Sequence, residues 1–359
     1  MVSSPQRRAP VLRESRSITL PPAAPGMPDE PLDATGPRTS LEWMAAAAAA
    51  GLDPRPTPVD ARTIPDLLIR TWRTERFNRR KIGRPRPLGV GSVLSSVKPA
   101  LREPIFLFGA ARSGTPFLGE CVGDLPEVSY HHEPVATKAA SRNVFEGTWG
   151  DRRSRLFFRS VYAWLLRYQL EGGLRFCEKT PTNAFLLPFL GRTFPDARFV
   201  HIIRDGRDVA ASHIREPWLR ADSALSGRRE PGGYLYGPWA PWWIAPGDRA
   251  AFEAGPDVLR MSMAWRRYTE AAVRVGPSLG PERYLEIRYE ALMADPAAVG
   301  TGLLDFLGIV DSDSRQAFLA ALGRANPRSV GSWRTSFTPE QVAIIEADAG
   351  PLLRQLGYL

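Results

Sequence analysis

Short apolar runs recur along the chain from residue 105 onward, and longer mixed stretches separate them. The runs are residues 105–109, 174–178, 197–203 and 283–287. Runs of this length predict parallel strands that are covered on both faces. Helical patterns occupy residues 152–170, 183–194, 208–214 and 257–275. Strands that alternate with helices predict an α/β fold with a parallel sheet flanked by helices, and residues 295–359 predict helices joined by loops.

The first hundred residues have a different pattern. Residues 1–60 are rich in Pro, Arg and Ala and show no sustained period, which predicts a largely disordered extension with one short helix near residues 41–50. Residues 65–81 have a helical period with Leu67, Leu68 and Trp72 on one side. Such a helix either docks on the main domain or lies on a membrane surface.

Prolines and glycines mark the boundary between the two parts. A linker is predicted by Pro85, Pro87, Gly89 and Gly91, with ordered α/β structure from Pro104 onward. We therefore divide the chain into a basic Pro/Arg/Ala-rich extension with one or two helices, residues 1–102, and an α/β domain, residues 103–359.

The net charge of +9 is concentrated in the extension. Residues 1–102 hold 17 Lys+Arg against 9 Asp+Glu, or +8, whereas the remainder holds 30 against 29, or +1. A nearly neutral domain argues against nucleic acid as the partner. No stretch reaches the roughly 20 apolar residues of a transmembrane helix, and Arg7, Arg8 and Arg13 precede no apolar core. These features predict no transmembrane segment and a cytoplasmic location.

Cysteine and histidine are scarce. Cys121 and Cys177 predict two reduced, buried thiols, with a single bridge as the alternative. The four histidines include no close-spaced set with cysteine, so we predict no metal.

The first apolar run leads into a glycine loop, Gly109-Ala-Ala-Arg-Ser-Gly-Thr115. A strand, a tight turn and a helix start form a phosphate cradle, because backbone N–H groups and the helix N-terminus attract anions. We expect Thr115 to cap the helix and Pro116 to occupy its first turn. The lysine of the ATP-type loop is absent, and the cation is Arg112 within the loop.

The loop resembles that of the sulfotransferases that use 3′-phosphoadenosine 5′-phosphosulfate (PAPS), in which Lys/Arg-Ser-Gly-Thr binds the 5′-phosphosulfate. Pro116 departs from the family, which places a hydroxyl residue there. The resemblance implies a P-loop-like fold and donor contacts from Arg112, Ser113, Gly114 and Thr115. It also implies a hydroxyl-bearing acceptor, whose class the sequence leaves open together with the oligomeric state, a homo-oligomer included.

A second match follows the run 197–203. Arg204 stands at the predicted strand end and Ser212 eight residues later, as in the family's 3′-phosphate site. Residues 331–338 resemble the family's glycine-tryptophan segment, and Arg328 precedes it. Tyr289 and Phe117 match family aromatics near the adenine, although either position also suits core packing.

Three residues are candidates for catalysis. Arg112 and Lys179 are the predicted cations, and the chain has only four lysines against 43 arginines. Glu133 lies 21 residues beyond Arg112, as the catalytic base of the protein-tyrosine sulfotransferases does. In a partly desolvated cleft its pKa would be raised toward neutrality. His131 and His132 are the alternative bases.

The sequence leaves open two other functions and two interpretations of one segment. The alternatives are a P-loop phosphotransferase that uses ATP and a non-catalytic nucleotide-binding protein. Residues 215–250 are rich in Trp, Tyr, Gly and Pro. They form either a lid over the acceptor or an insertion whose aromatic side chains pack on the domain.

Overall fold

A five-stranded parallel sheet is the centre of the computed structural model, which describes residues 39–82 and 90–359. The strands are β1 (Ile105–Phe108), β2 (Val128–His132), β3 (Arg175–Lys179), β4 (Arg198–Ile203) and β5 (Tyr284–Arg288), in the order β2-β3-β1-β4-β5. The described residues belong to one compact unit. Because all strands are parallel, their carboxyl ends meet at one edge of the sheet, which we call the site edge.

The central strand β1 is buried along its whole length, as a continuous apolar run predicts. Its alternate side chains enter two separate cores. Phe106 and Phe108 pack into one, and Ile105 and Leu107 pack into the other. Helices cover both faces, which confirms the predicted α/β fold.

The described helices follow the chain in this order: α1 (Ser40–Ala49), α2 (Ile64–Ile82), α3 (Val90–Val97), α4 (Thr115–Gly123), α5 (Val135–Phe145), α6 (Asp151–Tyr168), α7 (Leu187–Thr193), α8 (Gly206–His213), α9 (Arg249–Ala254), α10 (Asp257–Val275), α11 (Tyr289–Ala294), α12 (Pro296–Leu307), α13 (Ser312–Leu322), α14 (Trp333–Ser336) and α15 (Pro339–Gln355). The four predicted helical stretches of the domain correspond to α6, to α7 with the 3₁₀ turn Pro181–Phe185 before it, to α8 and to α10. The helical C-terminal part is confirmed as well.

One strand and the helix after it were not predicted from the sequence. β2 reads Val-Ser-Tyr-His-His, so it lacks the continuous apolar run that marks the other strands. It lies at the edge of the sheet, where pairing with β3 and packing against α4 hold it. α5 begins two residues later. These two elements carry part of the candidate active site.

The prediction of disorder through residue 60 extends too far. A capping box at Thr39 starts α1, and the hydroxyl of Ser40 accepts a hydrogen bond of 2.9 Å from the buried Arg260 of α10. Arg229 donates to the backbone oxygens of Asp53 and Arg55. Residues 39–60 are therefore ordered against the domain, while residues 1–38 lie outside the described part of the chain.

The remaining N-terminal predictions have mixed outcomes. α2 is docked on the domain, the first of the two alternatives for this helix, and Leu67, Thr71 and Glu75 are buried there. Of the predicted linker, residues 83–89 lie outside the described residues, whereas Gly91 lies within α3, which the sequence analysis did not predict. The division at residue 103 stays a prediction. Among the helices that the structure describes, none is long and apolar enough to cross a membrane.

Candidate active site

The phosphate loop, residues 109–115, joins the site edge of β1 to α4. Gly114 has a φ of +92°, and a Cβ atom there would lie 2.6 Å from the ring of Tyr289. Glycine is therefore required both for the backbone conformation and for the close packing of that ring. Arg112 also has a positive φ, +74°, which a side-chain-bearing residue rarely adopts. The loop has the tight geometry of an anion cradle.

One detail of the loop was predicted wrongly. The N-cap of α4 is Gly114, and no side chain caps the helix; Thr115 is its first residue and is buried. Pro116 lies in the first turn, as predicted. The first N–H groups of α4 are thus left without a side-chain cap, in the place where a bound anion would accept from them.

Two residues that are predicted to bind the donor contact each other directly. Nε of Arg112 donates a hydrogen bond of 3.1 Å to Oγ of Ser212 in α8, and its terminal nitrogen lies 3.2 Å from a carboxylate oxygen of Glu216. The phosphate loop after β1 and the helix α8 after β4 therefore meet at the site edge. We call the space beside this junction the donor cleft.

Arg204 lies buried at the end of β4 beside the same cleft. Its guanidinium donates to the backbone oxygens of Arg112 (3.2 Å) and Ser329 (2.5 Å) and lies 4.5 Å from the ring centre of Tyr289. The hydroxyls of Tyr289 and Ser329 are 2.7 Å apart. Arg204 thus joins the phosphate loop to the C-terminal segment that contains Ser329.

Among the buried polar atoms that have no hydrogen-bond partner within the described structure, two belong to predicted donor contacts. They are Nε of Arg204 and Oγ of Ser113. Buried polar groups are almost always paired, so unpaired donors suggest a place for a ligand acceptor. A guanidinium and a hydroxyl suit phosphate oxygens, and the residues present therefore fit a phosphorylated nucleotide.

Asp208 fixes the glycine-tryptophan segment, which the sequence analysis did not foresee. This buried carboxylate in α8 accepts hydrogen bonds from the N–H of Gly331 (2.7 Å), the hydroxyl of Ser332 (3.1 Å) and the N–H of Trp333 (3.0 Å). The segment is thereby held beside α8, next to Arg204. The acidic residue four positions after Arg204 was visible in the sequence, but its partners are more than a hundred residues away.

The other predicted nucleotide contacts are less central. Phe117 is half-buried and packs against the core that contains Leu107. Arg328 is exposed on a 3₁₀ turn, Pro327–Ser329, and its neighbour Ser329 makes the contact to Arg204. Tyr289 is buried against Gly114 and Arg204. Adenine contact by Phe117 or Tyr289 and phosphate contact by Arg328 stay predictions.

Glu133 and Lys179 lie together at the ends of adjacent strands β2 and β3. Their backbones are joined by the N–H of Glu133, which donates to the oxygen of Lys179 at 3.0 Å. The Lys179 ammonium donates to Oε1 of Glu133, and that of Lys138 donates to Oε2 at 2.8 Å. We call these three side chains the catalytic cluster. Glu133 adopts a positive φ of +50°, which turns the chain between β2 and α5.

The expected pKa of Glu133 is wrong in direction. Burial favours the neutral acid, but the positive charges of Lys138 and Lys179, together with His132, outweigh it and hold the pKa well below its ordinary value. Burial lowers the pKa of Lys179. Glu133 is therefore a carboxylate at neutral pH, paired with two cations.

Lys138 was not identified from the sequence, although a signal existed. The chain contains only four lysines, and two of them, Lys138 and Lys179, contact the same carboxylate. The rarity that singled out Lys179 applied equally to Lys138. The missing information was α5, which places Lys138 one turn beyond Glu133.

The two alternative bases lie on opposite faces of β2. His131 is fully buried, between Oε2 of Glu75 (2.9 Å) and Oγ of Ser129 (3.0 Å), and is stacked on Phe176. It faces α2 rather than the catalytic cluster, and both of its ring nitrogens have partners within the fold. His132 points the other way, and its Nε2 lies 3.3 Å from the Lys179 ammonium.

The aromatic segment 215–250 packs on the domain. Trp242 and Trp243 are buried against Phe185, and Trp243 also contacts Tyr268. A hairpin-like turn between Arg229 and Leu235 reaches toward the catalytic cluster, where Glu230 lies 3.5 Å from Lys138. The segment therefore combines the packing of an insertion with one contact to the site.

Both cysteines are free and buried, as predicted. Within residues 39–82 and 90–359 no three His, Cys, Asp or Glu side chains form a group that could hold a metal ion.

Open α/β sheets bind ligands at the carboxyl ends of their strands, and the phosphate loop and the carboxylate–lysine cluster both lie at that edge here. The sequence model of the Sulfotransferase family matches residues 104–313, which contain β1 to β5. The chain belongs to this family.

Individual relatives are distant. Carbohydrate sulfotransferase 2 of Mus musculus is 23% identical over 349 residues, which cover 72% of this chain and 65% of that protein. Omega-hydroxy-beta-dihydromenaquinone-9 sulfotransferase Stf3 of Mycobacterium tuberculosis is 26% identical over 185 residues, covering 50% and 40%. The chain thus spans less than two thirds of the length of either relative.

Solved structures include similar chains. Sulfotransferase STF9 from Mycobacterium avium is 13% identical, with 90% of this chain and 98% of that chain covered and a TM-score of 0.44. Mouse sulfotransferase SULT7A1, complexed with PAP, is 17% identical, with 72% and 88% covered and a TM-score of 0.39.

Proposed function

We propose that this protein is an enzyme that transfers a sulfuryl group from PAPS to the hydroxyl of an acceptor. The observation that carries the proposal is the meeting of Arg112 with Ser212 at the donor cleft, beside the buried Arg204. The phosphate loop with Arg112 and the pair Arg204 and Ser212 come together there. PAPS carries a 5′-phosphosulfate and a 3′-phosphate, so it needs two such sets of anion-binding groups. Membership of the Sulfotransferase family supports the same reading.

The donor is bound as follows. The phosphate loop receives the 5′-phosphosulfate through backbone N–H groups, the hydroxyls of Ser113 and Thr115, and Arg112. Arg204 and Ser212 hold the 3′-phosphate, and Arg328 approaches it from the exposed turn. Tyr289 and Phe117 flank the adenine. Asp208 keeps the covering segment, residues 331–333, in place.

The catalytic cluster performs the transfer. Glu133 accepts the proton of the acceptor hydroxyl while the acceptor oxygen attacks sulfur and the bond between sulfur and the 5′-phosphate oxygen breaks. Lys179 and Arg112 stabilise the negative charge on the departing 3′,5′-diphosphate. Lys179 is bonded to Glu133 before the donor arrives, so this step requires its ammonium to turn toward the phosphosulfate. His132, next to both groups, is the alternative base.

A hydroxyl acceptor is consistent with the names of the relatives, one a carbohydrate sulfotransferase and the other a sulfotransferase of an omega-hydroxylated menaquinone. We therefore choose sugars and hydroxylated isoprenoid quinones as the first acceptors to test. The cytoplasmic location stays a prediction.

The test is transfer of radioactive label. Purified protein is incubated with ³⁵S-labelled PAPS and each acceptor, and in parallel with ATP labelled at the γ-phosphate. We expect ³⁵S on an acceptor or, without one, as free sulfate, at a rate that EDTA does not change. Transfer of labelled phosphate, lost with EDTA and restored by magnesium, would instead identify a phosphotransferase. Absence of both transfers despite nucleotide binding would identify a non-catalytic protein.

A further inference from the structure

Lys138 lies largely buried between two carboxylates, one of which is the proposed base Glu133. It extends from the first turns of α5, is 13% exposed, and donates to Oε2 of Glu133 at 2.8 Å. Its second anionic contact is Glu230, at 3.5 Å, in the turn between Arg229 and Leu235. A buried lysine requires such partners, because an unpaired ammonium in a dry site is costly.

Each oxygen of Glu133 has its own ammonium. Oε1 accepts from Lys179, and Oε2 accepts from Lys138. Several titratable and charged groups of the elements packed around Glu133 and Lys138 face one or the other: His132 and Tyr130 of β2, Lys179 of β3, Glu230 and Tyr236 of the aromatic segment, and Tyr268 of α10.

The two lysines cannot have the same task once the donor is bound. Lys179 comes from the strand next to β1, whose loop binds the phosphosulfate, and the leaving group needs a cation. Lys138 comes from α5, and its two anionic contacts are Glu133 and Glu230. If Lys179 turns to the donor, Lys138 is the cation that remains on Glu133.

We propose that Lys138 is a positioning residue that keeps Glu133 ionised and oriented while Lys179 serves the donor. This inference rests on the proposed function. It explains why a site with one catalytic carboxylate contains two of the four lysines of the chain. Oε1 becomes free to accept the proton of the acceptor, and Oε2 stays bonded to Lys138. Glu230, in turn, holds the far side of the Lys138 ammonium.

The consequence is a specific dependence on pH. The pKa of Glu133 is low because of its cations, and removing Lys138 raises it, so protonation disables the base at a higher pH. An opposite charge at this distance lowers a carboxyl pKa by roughly 1–3 units. The acid limb of the pH–rate profile should therefore move up by about that amount.

The experiment measures PAPS hydrolysis, in which water is the acceptor, between pH 4 and 9, with the uncatalysed rate subtracted. Variants are Lys138→Met, which removes the charge at similar length, and Lys138→Arg, which keeps it. We expect Lys138→Met to move the acid limb upward, with a rate loss that is largest at the lowest pH, and Lys138→Arg to leave the limb in place. Glu230→Gln, which removes an anion instead of a cation, should not move the limb upward.

Three outcomes would overturn the proposal. The first is superimposable pH profiles for wild type and Lys138→Met. The second is an upward shift of the acid limb by a unit or more in Lys138→Arg. The third is loss of affinity for adenosine 3′,5′-diphosphate both in Lys138→Met and in Lys138→Gln, a second variant without the charge. Such a loss would show that Lys138 supports the fold rather than positioning the base. Failure of the proposed function is distinguishable, because wild-type protein would then neither bind that nucleotide nor hydrolyse PAPS.

Discussion

Arg112 of the phosphate loop lies at the donor cleft and donates to the hydroxyl of Ser212, 3.1 Å away. The two residues belong to different ends of the proposed donor site, the first to the phosphosulfate and the second to the 3′-phosphate. Glu216, 3.2 Å from the same guanidinium, holds it there. Donor binding must therefore replace these contacts, with phosphate oxygens as the new partners of Arg112.

Glu216→Gln should tighten the binding of adenosine 3′,5′-diphosphate. The substitution removes a carboxylate that competes for Arg112 and repels phosphate, and a partly exposed ion pair of this kind is worth only ~0.2–1 kcal/mol. We expect a gain in affinity of roughly 1.5- to 5-fold by calorimetry, smaller at high salt. Asp305→Asn, which breaks an exposed ion pair with Arg315, is the control. A weaker affinity in Glu216→Gln would show that Glu216 orients Arg112 productively.

Asp208→Ala should release the segment that covers the donor. The carboxylate accepts from the N–H groups of Gly331 and Trp333, and each lost hydrogen bond costs ~0.5–1.5 kcal/mol. We expect faster hydrogen exchange at both amides and an affinity for adenosine 3′,5′-diphosphate that is lower by roughly tenfold. The matched control is Asp311→Ala, at the N-cap of α13. Unchanged exchange at Gly331 and Trp333 would contradict this role.

The phosphate loop and the junction between β4 and α8 were the most predictable part of the site, since the sequence signals for them are local. A strand, a glycine turn and a helix start lie within a dozen residues, and Arg204 and Ser212 lie on one strand–helix junction. The position of Glu133 was predicted by resemblance, but its ionisation was not. The pKa of Glu133 depends on two lysines. Lys138 belongs to α5, a helix that was not recognised from the sequence, and Lys179 pairs with Glu133 only because β2 lies beside β3.

The edge strand β2 is the part of the sheet that could not be predicted from the sequence. Its sequence, Val-Ser-Tyr-His-His, carries polar side chains on a face that α2 covers, where His131 bonds to Glu75 and to Ser129. Strands are recognised in a sequence by the spacing of their apolar residues, so a strand that buries a polar network is not recognised in this way. The same network orders α2 against the domain.

Two N-terminal deletions, of residues 1–38 and of residues 1–60, should differ in their effect on stability and turnover. Removing residues 1–38 should change PAPS hydrolysis by less than about twofold, because the catalytic and donor contacts come from residues beyond 103. Removing residues 1–60 also removes α1 and the backbone of Asp53, Arg55 and Thr57, which bonds to Arg229 and Gly233. We expect a Tm lower by several degrees and slower turnover. Equal Tm values for the two truncations would contradict this.

Glu133→Gln should separate catalysis from donor binding. It keeps the shape but removes the basicity, and general-base catalysis contributes ~10²–10⁴-fold, so PAPS hydrolysis should fall by about that factor. Affinity for adenosine 3′,5′-diphosphate should stay within about threefold. Lys179→Met should lower the rate and also weaken the binding of PAPS, because the positive charge of Lys179 is proposed to stabilise the leaving group. His132→Asn is the comparison: if it abolishes turnover while Glu133→Gln does not, His132 is the base.

The most direct test of the donor assignment is calorimetric titration of the wild-type protein with adenosine 3′,5′-diphosphate and with AMP. The two nucleotides differ only in the 3′-phosphate, which Arg204 and Ser212 are proposed to hold. A charge-assisted hydrogen bond is worth ~1.5–3 kcal/mol, so the diphosphate should bind at least roughly tenfold more tightly, and Ser212→Ala should reduce that preference. Equal affinities for the two nucleotides would contradict the assignment of this cleft to a 3′-phosphorylated sulfuryl donor.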